Sequence, residues 1–218
     1  MGRKVVILLG TPGAGKGTQA KEIMRRLKIP QISTGDILRD VMARQNGLGR
    51  EIRERMNAGE LVSDATVNRI VAERIVREDC LSGFILDGYP RTVPQAESFE
   101  QHLTKTDRLF VIEIRADDGN ALERIVSRLM CSDCGEIYNS ISRMPRKHGR
   151  CDRCERPLTR RSDDREDLLI ERFRTYHEET FPLVEHYSRS GCYHRVDGLR
   201  PIAEVSHDIR KIVDYEER

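Results

Sequence analysis

The chain has 218 residues, a length that suits one core domain with room for insertions. Hydrophobic residues make up 38% and charged residues 34%, which is enough apolar content to exclude wholesale disorder. The 38 basic and 36 acidic residues nearly cancel to +2, which argues against a dedicated nucleic-acid binder. Only seven of the 38 basic residues are lysine, so arginine dominates, the side chain that grips phosphate with a planar fork.

The first apolar run, 5–9 (VVILL), reads as a strand buried on both faces and is far too short to span a bilayer. Residues 1–4 lack the long apolar region and cleavage site of a signal peptide, and Val6 stands where a myristoylation motif needs Ser or Thr. These features predict a soluble cytoplasmic protein without a membrane partner, in which six cysteines are thiols or metal ligands rather than disulfides. Next comes a helix over 18–27, with Ala20, Ile23, Met24 and Leu27 on one face. Residues 34–62 form a helical insertion with glycines at 47, 49 and 59. The segment 63–66 (SDAT) is placed to cap a helix carrying Val67, Ile70, Val71, Ile75 and Val76. Strands follow at 84–86 and 109–114, a helix at 121–130, a second helix at 167–187, a weaker strand at 193–196, and a closing helix at 201–213 with Pro201 in its first turn. Strands alternating with helices predict an α/β fold with a parallel sheet. Between 131 and 161 the chain is polar and arginine-rich, with Pro145, Gly149 and Pro157, and reads as a small insertion with its own organisation.

Four signals carry chemistry. Gly10-Thr11-Pro12-Gly13-Ala14-Gly15-Lys16 directly follows the first strand and opens a helix, which fits the phosphate loop G-x-x-x-x-G-K. Its glycines let backbone N–H groups face a phosphate, the helix N-terminus adds a favourable dipole, and Lys16 reaches the outer phosphates. Gly17 stands where Ser or Thr is usual, with Thr18 one place later. Asp87 ends the strand at 84–86, where a carboxylate either holds Mg²⁺ or its waters beside a nucleotide or caps the next element. Arg124 and Arg128, spaced i, i+4 on one helix face, precede the insertion, and Arg160 and Arg161 follow it, ahead of Ser162, Asp163 and Asp164, with Arg172 further along. Any one of these reads as solvated surface, but together they suggest a flap that closes positive charge onto phosphates. Residues 127–164 hold nine basic and six acidic side chains, a net +3. Finally, Cys131, Cys134, Cys151 and Cys154 have the C-x₂-C-x₁₆-C-x₂-C spacing of a structural Zn²⁺ site, with free thiols or a disulfide pair as the other options. An insertion this small buries little core, so metal ligation would supply folding energy. Cys80 and Cys192 lack such spacing.

The loop GTPGAGKGTQA, the segment ISTGDILR (32–39) and the segment DGYPRTVPQA (87–96) together resemble adenylate kinase over essentially the whole chain. The four-cysteine insertion resembles the lid of the long, zinc-containing bacterial form. The resemblance implies a P-loop nucleoside triphosphate hydrolase-like core over 1–33, 63–126 and 165–218. It implies a nucleoside monophosphate-binding insertion at 34–62 and a zinc lid at 127–164. It places Gly13, Ala14, Gly15, Lys16, Gly17 and Thr18 on the ATP phosphates, with Thr18 and Asp87 near Mg²⁺. Arg124 and Arg128 serve the ATP side, with Tyr138 and the turn ending at Arg200 near its adenine. Thr34, Arg39, Leu61, Val62, Gly88, Arg91 and Gln95 form the AMP site, and Arg161 and Arg172 close onto the phosphates. Lys16, Arg91, Arg128, Arg161 and Arg172 are then the catalytic cations. The implied reaction is direct in-line transfer, Mg·ATP and AMP giving two ADP, by a monomer whose partners are ATP, AMP and ADP. Family lids often carry a proline-rich, aromatic-containing stretch after the tyrosine, whereas 139–149 here reads NSISRMPRKHG. Competing readings are a kinase for another nucleoside monophosphate, a zinc-ribbon nucleic-acid-binding ATPase, and a catalytically silent regulator. An aromatic content of 5% and the absence of Trp supply a poor stacking platform for nucleic acid.

Overall fold

A computed structural model describes residues 2–43, 47–161, 164 and 166–214. Ser162 and Asp163 lie outside that set, as does Met1.

The apolar runs become a five-stranded parallel sheet. β1 (Lys4–Leu9) is central, flanked by β3 (Gly83–Asp87) and β4 (Arg108–Arg115). β2 (Gln31–Ser33) and β8 (Tyr193–Asp197) form the edges, giving the order β2-β3-β1-β4-β8. Alternation along β1 sends Val5, Ile7 and Leu9 into one core and Val6 and Leu8 into the other. The first core is completed by α2 (Thr34–Met42), α3 (Gly47–Asn57), α4 (Asp64–Ile75), α5 (Val93–Glu100) and later α8 (Pro182–Ser188). The second is covered by α1 (Lys16–Leu27) and α9 (Ile202–Asp214). From β1 the chain crosses to one side of the sheet and returns to β4 on the other, so the crevice at the carboxyl end of β1 is a topological switch point.

α6 (Asp118–Val126) leads into a separate antiparallel sheet of β5 (Arg128–Cys131), β6 (Ile137–Asn139) and β7 (Leu158–Thr159), in the order β6-β5-β7. Its apolar centre is small: Cys131, Tyr138 and Cys151, with Leu129, Cys134, Cys154 and Leu158 packed around them. Among the described residues no helix is long and apolar enough to cross a membrane.

Four local expectations are corrected. The helix expected over 121–130 stops at Val126, so Arg124 and Arg128 do not share a helix face. The cause is tertiary: Ser127 Oγ donates to the Glu123 carbonyl, and Asn139 of β6 donates to Ser127 Oγ (2.7 Å) and to the Arg124 carbonyl (3.2 Å). The helix expected over 167–187 is interrupted. α7 (Glu166–Thr175) passes into a π-helical turn, Tyr176–Thr180, before Pro182 opens α8. Ser63 does not cap α4 through its side chain; its hydroxyl meets Thr66 Oγ1 at 3.0 Å instead. Pro201 sits one residue before α9 and contributes its carbonyl to the amides of Glu204 and Val205.

Candidate active site

The phosphate loop closes on itself. α1 starts at Lys16, directly after Gly15 in the left-handed region (φ 104°), and no acidic side chain lies in its first turn to offset the helix's positive end. Lys16 Nζ donates to the carbonyls of Gly10 (2.5 Å) and Thr11 (2.9 Å). Burial lowers its pKa to about 8 against the pull of Asp87, and nearby Arg91, Arg172 and Arg128 add to the drop. A phosphate here would restore the charge.

Asp87, at the end of β3, faces this loop. Its Oδ2 accepts from Gln31 Nε2 (2.9 Å), and a Cβ placed on Gly17 would lie 3.4 Å from that same oxygen. One residue on, Gly88 has φ +81°, and its carbonyl accepts from Thr34 Oγ1 (2.8 Å) and Arg91 Nε (2.9 Å). A Cβ there would lie 3.0 Å from Thr34 Oγ1 and 3.2 Å from Arg91 Nη2. Gln95 is 1% exposed; its Oε1 accepts from the Arg91 amide and its Nε2 donates to Asp64, both at 2.7 Å. Thus its amide oxygen is occupied and one N–H is committed.

The arginines are held by two carboxylates that the sequence did not reveal as partners. Asp36 pairs with Arg39 (2.6 Å) and lies 3.8 Å from Arg161 Nη2. Asp164 accepts from Arg128 and from Arg172 Nη1 (3.3 Å). Burial lowers Arg161 to about 10, and the like charges of Arg128 and Arg39 contribute. Such a crowd of cations favours a multiply charged anion among them. Arg124 reaches the loop, with Nη1 3.4 Å from the Ala14 carbonyl.

Every nucleotide-site residue anticipated from the sequence lines one cavity of about 720 Å³, walled by the phosphate loop, α2, the start of α4 and the second sheet. Two of them also have polar partners for their own side chains. Tyr138 is buried, and its hydroxyl accepts from the Asp152 amide (2.7 Å) beside Cys151 Sγ (3.6 Å), so only the rest of the residue faces the cavity. Arg200 is tied to Asp208 and Glu204 of α9.

The adenylate kinase family model matches residues 8–192. The chain belongs to the adenylate kinase family. It is 42% identical over 216 residues to the adenylate kinase of Thermotoga neapolitana, covering 98% of each chain. The Thermosipho africanus adenylate kinase is 40% identical over 210 residues, 95% of this chain and 98% of the relative. That of Archaeoglobus fulgidus is 42% identical over 211 residues, 96% and 97%.

This adenylate kinase family member also carries the four-cysteine cluster in a ligand-like arrangement. The Sγ atoms of Cys131, Cys134, Cys151 and Cys154 all lie within 4.8 Å of one another, and none forms a disulfide. The contacts Cys131–Cys154, Cys134–Cys151 and Cys134–Cys154 measure 3.3, 3.5 and 3.6 Å. A tetrahedral thiolate site with bonds of about 2.3 Å has edges of about 3.8 Å, so the four sulfurs fit a metal ion with slight expansion. Burial opposes the Cys151 thiolate, but the Tyr138 hydroxyl and the Arg153 and Cys154 amides hold it down to about 6. Although the Arg156 amide favours the Cys154 thiolate, burial and the neighbouring sulfurs push that thiol up to about 12. Thiolates packed this closely repel one another, and a dication would supply the charge that holds them together. His148 is outside the cluster.

Proposed function

We propose that this chain catalyses reversible phosphoryl transfer from Mg·ATP to AMP, giving two ADP, directly and in line. The observation that carries this reading is the convergence of Lys16 and five arginines (39, 91, 128, 161 and 172) on one cavity open to both a phosphate loop and the Thr34–Gly88–Gln95 pocket. Two anionic substrates must meet for such a reaction, and a ring of fixed cations both aligns them and offsets the charge that develops.

In this reading Gly13, Ala14, Gly15, Lys16, Gly17 and Thr18 hold the donor phosphates, with Arg124, Arg128, Tyr138 and Arg200 completing the ATP side. Thr34, Arg39, Leu61, Val62, Gly88, Arg91 and Gln95 hold AMP. The catalytic cations are Lys16, Arg91, Arg128, Arg161 and Arg172, the last two shared with the acceptor. Mg²⁺ enters with ATP as part of the substrate; Thr18 and Asp87, directly or through water, are the residues that would hold it, and it would neutralise phosphoryl charge. An AMP phosphate oxygen is already a nucleophile, so no strong general base is required.

Cys131, Cys134, Cys151 and Cys154 would hold a structural Zn²⁺ that gives the lid the folding energy its small apolar centre lacks. The proposed organisation is a core of 1–33, 63–126 and 165–218, an AMP-holding insertion at 34–62 and a lid at 127–164, the two insertions excluding water that would otherwise hydrolyse ATP. The proposed enzyme is a monomer working on soluble nucleotides in the cytoplasm.

The test is ADP formation from ATP with AMP, UMP, CMP and GMP in turn. AMP is expected to be the preferred acceptor. Preference for another monophosphate would reassign the acceptor pocket.

A further inference from the structure

Glu136 joins the lid by ion pairs to α1, the helix that begins at the phosphate loop. It follows the Cys131–Cys134 turn and is 4% exposed. Its Oε2 lies 3.2 Å from Arg25 Nη2 and 4.0 Å from Lys21 Nζ, while Lys21 Nζ also donates to the Gly135 carbonyl. Lys21 and Arg25 are spaced i, i+4 and so present one face of α1 to the lid. On the lid side, Arg143 donates from Nη2 to Glu136 Oε1 and from Nη1 to the Ile137 carbonyl, both at 2.7 Å. Arg143 belongs to the 139–149 stretch that departs from the usual family pattern, and its guanidinium lies 5.5 Å from the Tyr138 ring centroid.

We propose that Glu136 is a positioning residue: a clasp that fixes the lid on α1 and thereby sets the lid's seat over the donor phosphates. This rests on the reading of the chain as an ATP:AMP kinase. A carboxylate so buried is held in place by its cations, because leaving it unpaired is costly. The residue beside it, Ile137, is what the clasp lowers onto the loop: a Cβ on Gly17 would stand 3.3 Å from Ile137 Cδ1. Ile137 pairs with Met130 in the register that also pairs Asn139 with Arg128, so the position of the clasp is passed across two strands to a transfer-site arginine. Release of the clasp shifts the lid toward its open arrangement and weakens donor binding, whereas the acceptor pocket is built mainly on α2, β3 and α5 and takes only Arg161 from the lid.

The experiment compares Glu136→Gln, the core-side double variant Lys21→Met/Arg25→Gln, and the two combined, with zinc content and melting recorded for each. The expected result is a KM for ATP raised roughly tenfold by either side, a combined variant no worse than the weaker of the two by more than about twofold, and a KM for AMP within about twofold of the parent. Amide exchange in β5 and β6 should quicken in the core-side variant, whose lid sequence is intact. That readout needs no turnover, so it separates failure of the clasp from failure of the kinase reading, which the parent protein's ADP formation tests. An unchanged KM for ATP with unchanged exchange in the core-side variant would overturn the proposal, as would losses that multiply in the combined variant. If Glu136→Gln loses its zinc, the core-side variant alone decides between these outcomes.

Discussion

Arg128 and Asp164 form a two-point ion pair: the guanidinium Nε donates to Oδ2 at 2.8 Å and Nη2 donates to Oδ1. Arg172 approaches the same Oδ1 at 3.3 Å, and the Asp164 side chain is only 2% exposed. A buried carboxylate thus holds two cations at the mouth of the phosphate loop. In the proposed reaction these two guanidiniums would serve the transferring phosphoryl group.

Arg128→Ala should lower kcat by about 10²-fold or more, because a preorganised cation stabilises charge only where that charge develops. Steady-state turnover with saturating ATP and AMP measures it. Near-normal kcat would remove Arg128 from the reacting centre.

Gly88→Ala places a methyl against Thr34 Oγ1 and Arg91 at a backbone angle that L side chains rarely adopt. Both residues belong to the proposed AMP pocket, so KM for AMP should rise by about tenfold or more while KM for ATP changes little. Equal effects on both substrates would mean that the substitution damages the fold rather than the pocket.

Lys16 carries a pKa lowered by burial to about 8, so its amine loses its proton just above neutrality in the nucleotide-free protein. Phosphate binding favours the protonated form. kcat/KM for ATP should therefore fall as pH rises through about 8, since this parameter reports the free enzyme. For stability the sign is opposite: the unfolded chain binds the proton more tightly between about 8 and its ordinary 10.5, so this group alone makes folding more favourable as pH rises through that window. A pH profile of kcat/KM that stays flat to pH 10 would contradict the role assigned to Lys16.

Cys131→Ser or Cys151→Ser should lower the melting temperature and zinc content, with activity lost as the lid unfolds. Chelation should do the same to the parent protein. Calorimetry alongside metal analysis checks it; loss of turnover with an unchanged melting curve would mean that the cluster does more than hold the lid together.

What the sequence disclosed was mostly local. The run 5–9 and the glycine loop after it are contiguous, so strand, turn and helix start are legible together. The paired C-x₂-C turns announced their own geometry. The end of α6 was not legible, because apolar spacing continues through Leu129 and Met130, and Asn139, thirteen residues past Val126, reaches back to the Arg124 carbonyl. β2, three residues long at the sheet edge, carries too little pattern to stand out. Asp36 has Arg39 at i, i+3 on its own helix, but nothing beside Asp36 or Asp164 tells that they also gather Arg161, Arg128 and Arg172. Motif spacing reports what a segment does with its own backbone, and long-range charge pairing appears only after the chain has folded.

The central claim is most directly tested by giving the protein Mg²⁺ and ADP alone and resolving the products. Direct transfer between two bound nucleotides predicts ATP and AMP in equal amounts, with no inorganic phosphate. AMP and phosphate without ATP would show that water is the acceptor and would contradict the account.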